Sequence, residues 1–267
     1  MNGNETAKAP TMDRIGRIAT MADEALILIV DDLRAGVYDV GSKLPALRDL
    51  ATELGVGHTN VRAAIDRLEA AGVVQVNRGR NGGITVLSLG RVPEALESLY
   101  DPIPKSDLPY LVEAWTTLER EILVLASRRA SGEDLHRLAL KVDRLHAHPE
   151  ESTMEFAERT VHVHILAATI TKNRFLKRQF SHLLNLLSFV FAHDGYLEEF
   201  TPRRRAQTLD HYDRLLSAVT ARNEERIAEV VRERHQLQME MMFGPAGTNP
   251  NYDLQPKEGL VETTSAQ

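Results

Sequence analysis

The sequence predicts a mostly α-helical chain in two parts: an N-terminal unit of short helices closed by a small β-hairpin, then a C-terminal all-α bundle of six to seven helices. Three observations predict it. Apolar residues recur at helical spacing through most of residues 15–243, one β-branched stretch near residues 73–88 interrupts them, and Gly90, Pro93, Pro102 and Pro104 separate two regions of different character. At 267 residues the chain is long enough for two domains of roughly 100 to 200 residues. The division reads as a first domain over 15–88, a linker over 89–106, a helical domain over 107–243 and a tail over 244–267. The tail is punctuated by Pro245, Gly247, Pro250, Pro256 and Gly259, and residues 1–12 are equally short of apolar anchors.

Each element has its own signal. Ile18, Met21, Ala22, Ala25, Leu26, Ile29 and Leu33 set a helix over 17–35 that ends at Gly36. VYDVGSKLP reads as a loop, and Leu47, Leu50, Ala51 and Leu54 form a short helix stopped by Gly55. About four residues later HTNVRAAIDRLEAAG begins another, with Val61, Ala64, Ile65 and Leu68 on one face. VVQVNR, GRNGG and ITVLS then read as a hairpin with a glycine-rich turn. In the linker, EALESLY after Pro93 can begin a short helix. Beyond it, six helical stretches fall at 107–130, 132–146, 151–171, 173–193, 202–221 and 223–243. The fourth is clearest, with Leu176, Phe180, Leu183, Leu187 and Val190 in one stripe widened by Leu184 and Phe191.

Composition removes whole classes of function. There is no cysteine, which excludes disulfides, thiolate nucleophiles and Cys-based metal centres. The longest aliphatic run, Ala25 to Val30, is about a quarter of a membrane span, so no membrane partner is expected and the cytoplasm is the expected compartment. A net charge of −6 argues against a general polyanion binder, but charge is unevenly placed. Between residues 58 and 91, Arg62, Arg67, Arg78, Arg80 and Arg91 face only Asp66 and Glu69.

Two short helices joined by a tight turn, the second polar at its N-terminus, make the helix-turn-helix pattern, and the hairpin makes a wing beside it. The second helix can bury its aliphatic face and offer His58, Thr59, Asn60 and Arg62 to base edges, while its free N–H groups face phosphate. Arg62 and Asn60 are the natural edge readers. The stretch LRAGVYDVGSKLPALRDLATELGVGHTNVRAAIDRLEAAGVVQVNRGRNGGITV resembles the winged-helix domain of GntR-family transcription regulators, in particular their FadR-like branch. The resemblance implies further DNA contacts from Arg48 after the LP loop and from Arg78, Gly79 and Arg80 on the wing. Where the family usually has Ser or Thr followed by Arg, this chain has Gly57 and His58, replacing a guanidinium with an imidazole.

LVEAWTTLEREILVLASRRA, HILAATITKNRFL and the helix count resemble the FCD effector domain that follows such a winged helix. That resemblance implies a small-molecule effector and a homodimer, which would read a palindromic double-stranded operator. Repression is expected because the family is mostly repressors. The 107–130 helix and the linker would transmit effector binding to the winged helix. Trp115, His164, Leu183, Leu187, Phe191 and His211 are the candidate pocket residues. Trp115 stands where the family commonly has Arg, which favours an apolar effector such as a fatty acid or acyl-CoA lying among Leu183, Leu187, Phe189, Val190 and Phe191.

Many FCD domains hold a divalent metal through an Asp four residues before a His and two later His. Here the four positions fall on Thr160, His164, Tyr212 and Arg234, with His211 and His235 one residue out of register, about 100° around a helix. No cofactor is favoured. The alternative is a slipped register in which His164, His211 and His235, with Glu158 and His162, hold zinc or nickel for a regulator sensing a small carboxylate. An enzyme is not expected and no catalytic residue is proposed: HExxH and GxSxG are absent, and GVYDVGSK lacks the strand and the GK-Ser/Thr order of a phosphate loop. A protein-interaction module that had only borrowed the winged helix should have lost Arg48, Arg62 and Arg80, which this chain retains.

Overall fold

The computed structural model describes residues 20–77, 79, 82–100, 102–193 and 201–244. Residues 17–19 of the first expected helix, Arg78 and Arg80 of the wing, and all of the expected tail but Gly244 lie outside them.

Helix α1 (Met21–Ala35) begins with a capping box, Thr20 accepting from the Asp23 amide and the Asp23 carboxylate accepting from Thr20 N–H. It ends at Gly36, whose φ of 77° closes the helix in the left-handed region. Helices α2 (Leu47–Leu54) and α3 (His58–Ala70) follow, with Val61, Ala64, Ile65 and Leu68 of α3 buried as the spacing predicts. Strands β2 (Val74–Asn77) and β3 (Gly83–Val86) pair antiparallel with Val74 opposite Val86 and Val76 opposite Ile84. A Cβ on Gly82 would sit 2.1 Å from the Asn77 carbonyl oxygen, so the wing turn requires glycine there. A further strand, β1 (Lys43–Leu44), pairs with β3 and gives the sheet order β1-β3-β2. It corrects the loop expected over VYDVGSKLP: two residues are too short to show a period-2 pattern.

After the linker helix α4 (Val92–Leu96) and a 3-10 turn over Glu97–Leu99, the second part is all α: α5 (Leu108–Arg129), α6 (Gly132–His146), α7 (Thr153–Ile170), α8 (Arg174–His193), α9 (Pro202–Thr220) and α10 (Glu224–Phe243). Ser131 and Ser152 start α6 and α7 with the same capping box as Thr20. Helix α5 packs against α7, α8, α9 and α10, so it forms the spine of the bundle.

The two parts share one hydrophobic core. Helix α1 carries two buried faces. Leu26, Ile29 and Leu33 repeat at the i, i+3, i+7 spacing of one stripe, and Ile27, Val30, Asp31 and Arg34 form another at i, i+3, i+4, i+7. It packs on α3 and also directly on α7. The winged helix therefore touches the bundle through α1 as well as through the linker.

Candidate DNA-binding face and effector cavity

Helix α3 presents its N-terminus to solvent. Its cap residue is Gly57, which has no side chain to close the first turn, so N–H groups there remain open to an anion. His58, Thr59 and Arg62 are exposed and Asn60 is half-buried. Arg62 lies 3.7 Å from Asp66, an exposed i, i+4 pair that holds it only weakly. Arg48 is exposed on α2, and Gly79 is exposed at the wing tip with φ 111°. Arg67, counted in the basic stretch, serves another purpose: it bonds Asp23 at 2.7 Å and the Ser98 hydroxyl at 2.5 Å, bracing α3 against α1 and the linker. Arg91 likewise reaches the Ala71 carbonyl and Glu94.

In the bundle, α5, α7, α9 and α10 bring a polar cluster into an apolar interior. Arg234 Nη1 donates to Glu119 Oε1 and to His164 Nε2, each at 2.7 Å, and Tyr212 Oη donates to the same His164 nitrogen at 2.8 Å. His164 Nδ1 then faces Glu119 Oε1 at 3.4 Å. Burial, reinforced by the Arg234 charge, holds the His164 pKa well below its ordinary value, so the imidazole is neutral and its Nε2 lone pair is the acceptor. Burial raises Glu119 to about 7, against the pull of Arg234. Burial and then Arg234 depress His211 to about 2. The Arg234 guanidinium lies over the rings of Trp115 and Tyr212, at 4.6 and 5.3 Å from their centroids.

Two adjoining cavities open on this cluster. The larger, about 150 Å³, lies between α7, α9 and α10 and is lined by Phe156, Phe191, Arg204, His211, Leu237 and Met241 among others. The smaller, about 70 Å³, is lined by Trp115, Glu158, His164, Leu187 and Phe191. Thr160, Arg234 and Gln238 border both. Of the expected pocket residues, Trp115, His164, Leu187, Phe191 and His211 stand on a cavity wall. Leu183 is partly buried against the core and lines neither. Among the described residues, Trp115 Nε1, Glu119 Oε2, His211 Nε2 and Gln238 Oε1 are buried with no hydrogen-bond partner. Trp115, His211 and Gln238 stand on the cavity walls, where a ligand of matching polarity can complete their bonding, whereas Glu119 lines neither cavity.

The metal-ligand register falls on the same residues. His164 does meet the other three positions, since Tyr212 and Arg234 bond it and Thr160 lines both cavities with them. A hydroxyl, a phenol and a guanidinium are nevertheless a poor donor set, because the guanidinium cannot lose its proton and repels a dication. The slipped register does not assemble either. His235 Nδ1–H donates to Thr116 Oγ1 at 2.9 Å, the Thr116 hydroxyl itself donating to the Val112 carbonyl, and Glu158 is bound by Arg34. Among the described residues no group of three or more His, Asp or Glu gathers at metal-binding spacing.

Sequence reasoning did not single out Glu119, Arg204 or Arg34. Glu119 falls in the buried stripe Val112, Thr116, Glu119, Leu123 of α5, and Arg34 in the second buried stripe of α1; a charge on an apolar face was the available signal.

An exposed, uncapped recognition helix beside a wing, joined to a helical bundle holding a cavity, defines an effector-responsive class of DNA-binding protein. Residues 22–86 match the family described as bacterial regulatory proteins, gntR family, and residues 110–236 match the FCD domain. The chain belongs to the GntR family and is a DNA-binding transcription regulator with an FCD effector domain, not an enzyme. The Uxu operon regulator of Haemophilus influenzae is 32% identical over 42% of this chain and 40% of its own length. The transcriptional regulator LutR of Bacillus subtilis is 24% identical over 72% of this chain and 87% of its own. The Exu regulon transcriptional regulator of Escherichia coli K12 is 27% identical over 70% of each. The solved structure of E. coli McbR/YncC shares the fold, with a TM-score of 0.51 at 19% identity, covering 85% of this chain and 98% of that one. Among the described residues no helix is long and apolar enough to cross a membrane.

Proposed function

We propose that the protein is a homodimeric repressor that reads a palindromic operator and releases it when a small anionic effector enters the bundle. The observation that carries the DNA reading is the open N-terminus of α3, with exposed His58, Thr59 and Arg62 beside Arg48. Two such helices in one dimer reach adjacent major grooves only when their spacing matches about one turn of DNA, so an effector that prefers one arrangement of the bundle changes operator occupancy. The direct packing of α1 on α7 gives that change a short route, alongside the linker.

The effector reading rests on the cavity wall. Arg204 and Arg234 supply cationic groups, Phe156, Phe191, Leu237 and Met241 an apolar body, and the unpartnered His211 and Gln238 atoms sites for a polar ligand. The apolar wall supports a fatty acid or acyl-CoA; the two arginines and the unpartnered Trp115 Nε1–H support a small carboxylate, and they weigh more because a buried donor costs about 1–3 kcal/mol while unsatisfied, whereas Gln238 Oε1 accepts and suits a ligand hydroxyl.

The test has two parts. Selection of binding sites from random duplex DNA should return a palindrome bound by a dimer in native mass spectrometry; a monomer, or DNA binding without sequence preference, would reject the reading. Ligand extracted from the purified protein should be a carboxylate, and its addition should weaken operator binding.

A further inference from the structure

The family resemblance expects a divalent metal where this chain gathers Thr160, His164, Tyr212 and Arg234. We propose that the Arg234 guanidinium is itself the resident cation of this cavity, and that the anionic group of the effector binds it directly, without a metal.

Three observations support this. First, Arg234 is built in. One nitrogen, Nη1, is anchored to Glu119 Oε1 and His164 Nε2, and the guanidinium plane is held against Trp115 and Tyr212. Side chain Nη1 alone makes these bonds. Among the described residues nothing hydrogen-bonds Nε or Nη2, and Arg234 lines both cavities. A planar edge with two free donors is the fork that takes a carboxylate or other oxyanion bidentately.

Second, His164 Nε2 lies 2.7 Å from Arg234 Nη1 and 2.8 Å from the Tyr212 hydroxyl. In a metal site that nitrogen's lone pair would go to the metal; here it goes to Arg234 and Tyr212. A divalent ion would have to displace a permanently charged group already occupying the lone pair.

Third, among the described residues one carboxylate, Glu119, opposes Arg234 in the cluster, and it uses one oxygen on the guanidinium while the other has no partner there. A single carboxylate neutralises one guanidinium and leaves nothing to balance an added dication.

The inference rests on the reading that the cavity takes an anionic effector, so its test separates the two. The full-length protein is stripped with EDTA, titrated calorimetrically with zinc chloride and nickel chloride, and assayed for metal by mass spectrometry before stripping. Benzoate, a carboxylate with an apolar body, is the anion probe, followed by thermal shift in EDTA for the wild type and for Arg234→Gln. The expected result is substoichiometric metal, no metal binding in the cavity, and benzoate affinity that survives EDTA but falls about tenfold in Arg234→Gln, as loss of a charge-assisted bond implies. In addition, the combined Thr160→Asp, Tyr212→His and Arg234→His variant should gain one zinc or nickel per chain. One metal per wild-type chain at purification, or a benzoate shift abolished by EDTA, would overturn the proposal, as would equal benzoate affinity in wild type and Arg234→Gln. If the triple variant does not fold, the wild-type metal titration decides alone. A wild type that ignores benzoate altogether would instead refute the anionic-effector reading, whatever the metal result.

Discussion

The Arg34 guanidinium lies edge-on to the Glu158 carboxylate, Nε to Oε1 at 2.6 Å and Nη2 to Oε2 at 2.7 Å, with both side chains almost wholly removed from solvent. Arg34 belongs to the last turn of α1 in the winged helix, and Glu158 to α7 in the effector bundle. Its remaining donor, Nη1, reaches Asn185 on α8 at 2.5 Å. Glu158 also lines the smaller effector cavity. One carboxylate thus touches the cavity on one side and the DNA-binding unit on the other, which places a bidentate, geometrically strict contact between the cavity wall and α1.

Removing one partner of this pair should cost far more than removing both. Glu158→Ala leaves the Arg34 charge buried without its counter-ion and is expected to destabilise by about 3–5 kcal/mol, whereas the combined Arg34→Met and Glu158→Met exchange should recover much of that loss. Urea denaturation of the wild type and these two variants checks it. The Glu158 pKa is held below its ordinary 4.5, the charge and bonds of Arg34, with His162 3.4 Å away, prevailing over burial. The pair's stabilisation is therefore present above that pH and is lost as pH falls below it.

Asp31, one turn before Arg34 on the same face, behaves oppositely. Burial raises its pKa from 3.8 to about 6, more than Lys177, Ser181 and Arg34 can offset, and its Oδ1 has no partner among the described residues. The native state holds this proton longer than the unfolded chain, so stability falls as pH rises from about 4 to about 6, and the cost is fully present above that window. Asp31→Asn is expected to stabilise the protein at pH 7.5 by about 1–3 kcal/mol and to flatten this part of the pH profile. Thermal unfolding across pH 4–8 reads both effects; an Asn variant no more stable than wild type at pH 7.5 would contradict them.

The contrast between these two acids and the rest of the fold shows what the sequence could convey. Helix ends were legible where the apolar repeat stopped: the end before Gly36 and the ranges 132–146 and 151–171 fall within a residue or two of the structure, where Gly36, Ser131 and Ser152 form the caps. The recognition helix was legible because Val61, Ala64, Ile65 and Leu68 bury one face and leave the other polar. Strand β1 was not, being two residues long. Arg34 and Glu119 were read past, and Glu158 was read as a candidate metal ligand rather than a partner of Arg34, for a different reason: each sits on an apolar stripe, and its partner lies more than a hundred residues away on another helix. Periodicity reports burial of a position but not what a buried charge will meet. Arg67, counted only in the local charge of 58–91, makes the same point, since charge density cannot distinguish an arginine facing DNA from one bracing α1.

That distinction is measurable. Arg62 is exposed and only weakly paired, so Arg62→Ala should leave stability within about 0.5 kcal/mol and weaken specific operator binding by about 1–3 kcal/mol, roughly ten- to a hundredfold. Arg67→Ala should do the reverse, because it removes bonds to Asp23 and Ser98: about 1–3 kcal/mol of stability, with operator affinity changed only as far as folding is. Fluorescence anisotropy on a selected operator, paired with urea denaturation, places each variant. Unchanged operator affinity in Arg62→Ala would remove α3 from the interface.

The wing supplies the last test, and salt dependence is its readout. The family resemblance sets Arg80 beside the Gly79 turn, against the sugar-phosphate backbone, whereas Arg62 is set to read a base edge. Each phosphate contact releases bound counterions, so the slope of log K against log salt diminishes by about 1 when one is lost. Arg80→Ala is expected to weaken specific and non-specific duplexes alike and to flatten the slope by that amount. Arg62→Ala should reduce the preference for the operator over random DNA and leave the slope nearly intact. If both variants flatten the slope equally, Arg62 binds phosphate rather than a base, and sequence recognition must come from His58, Thr59 and Asn60 at the open end of α3.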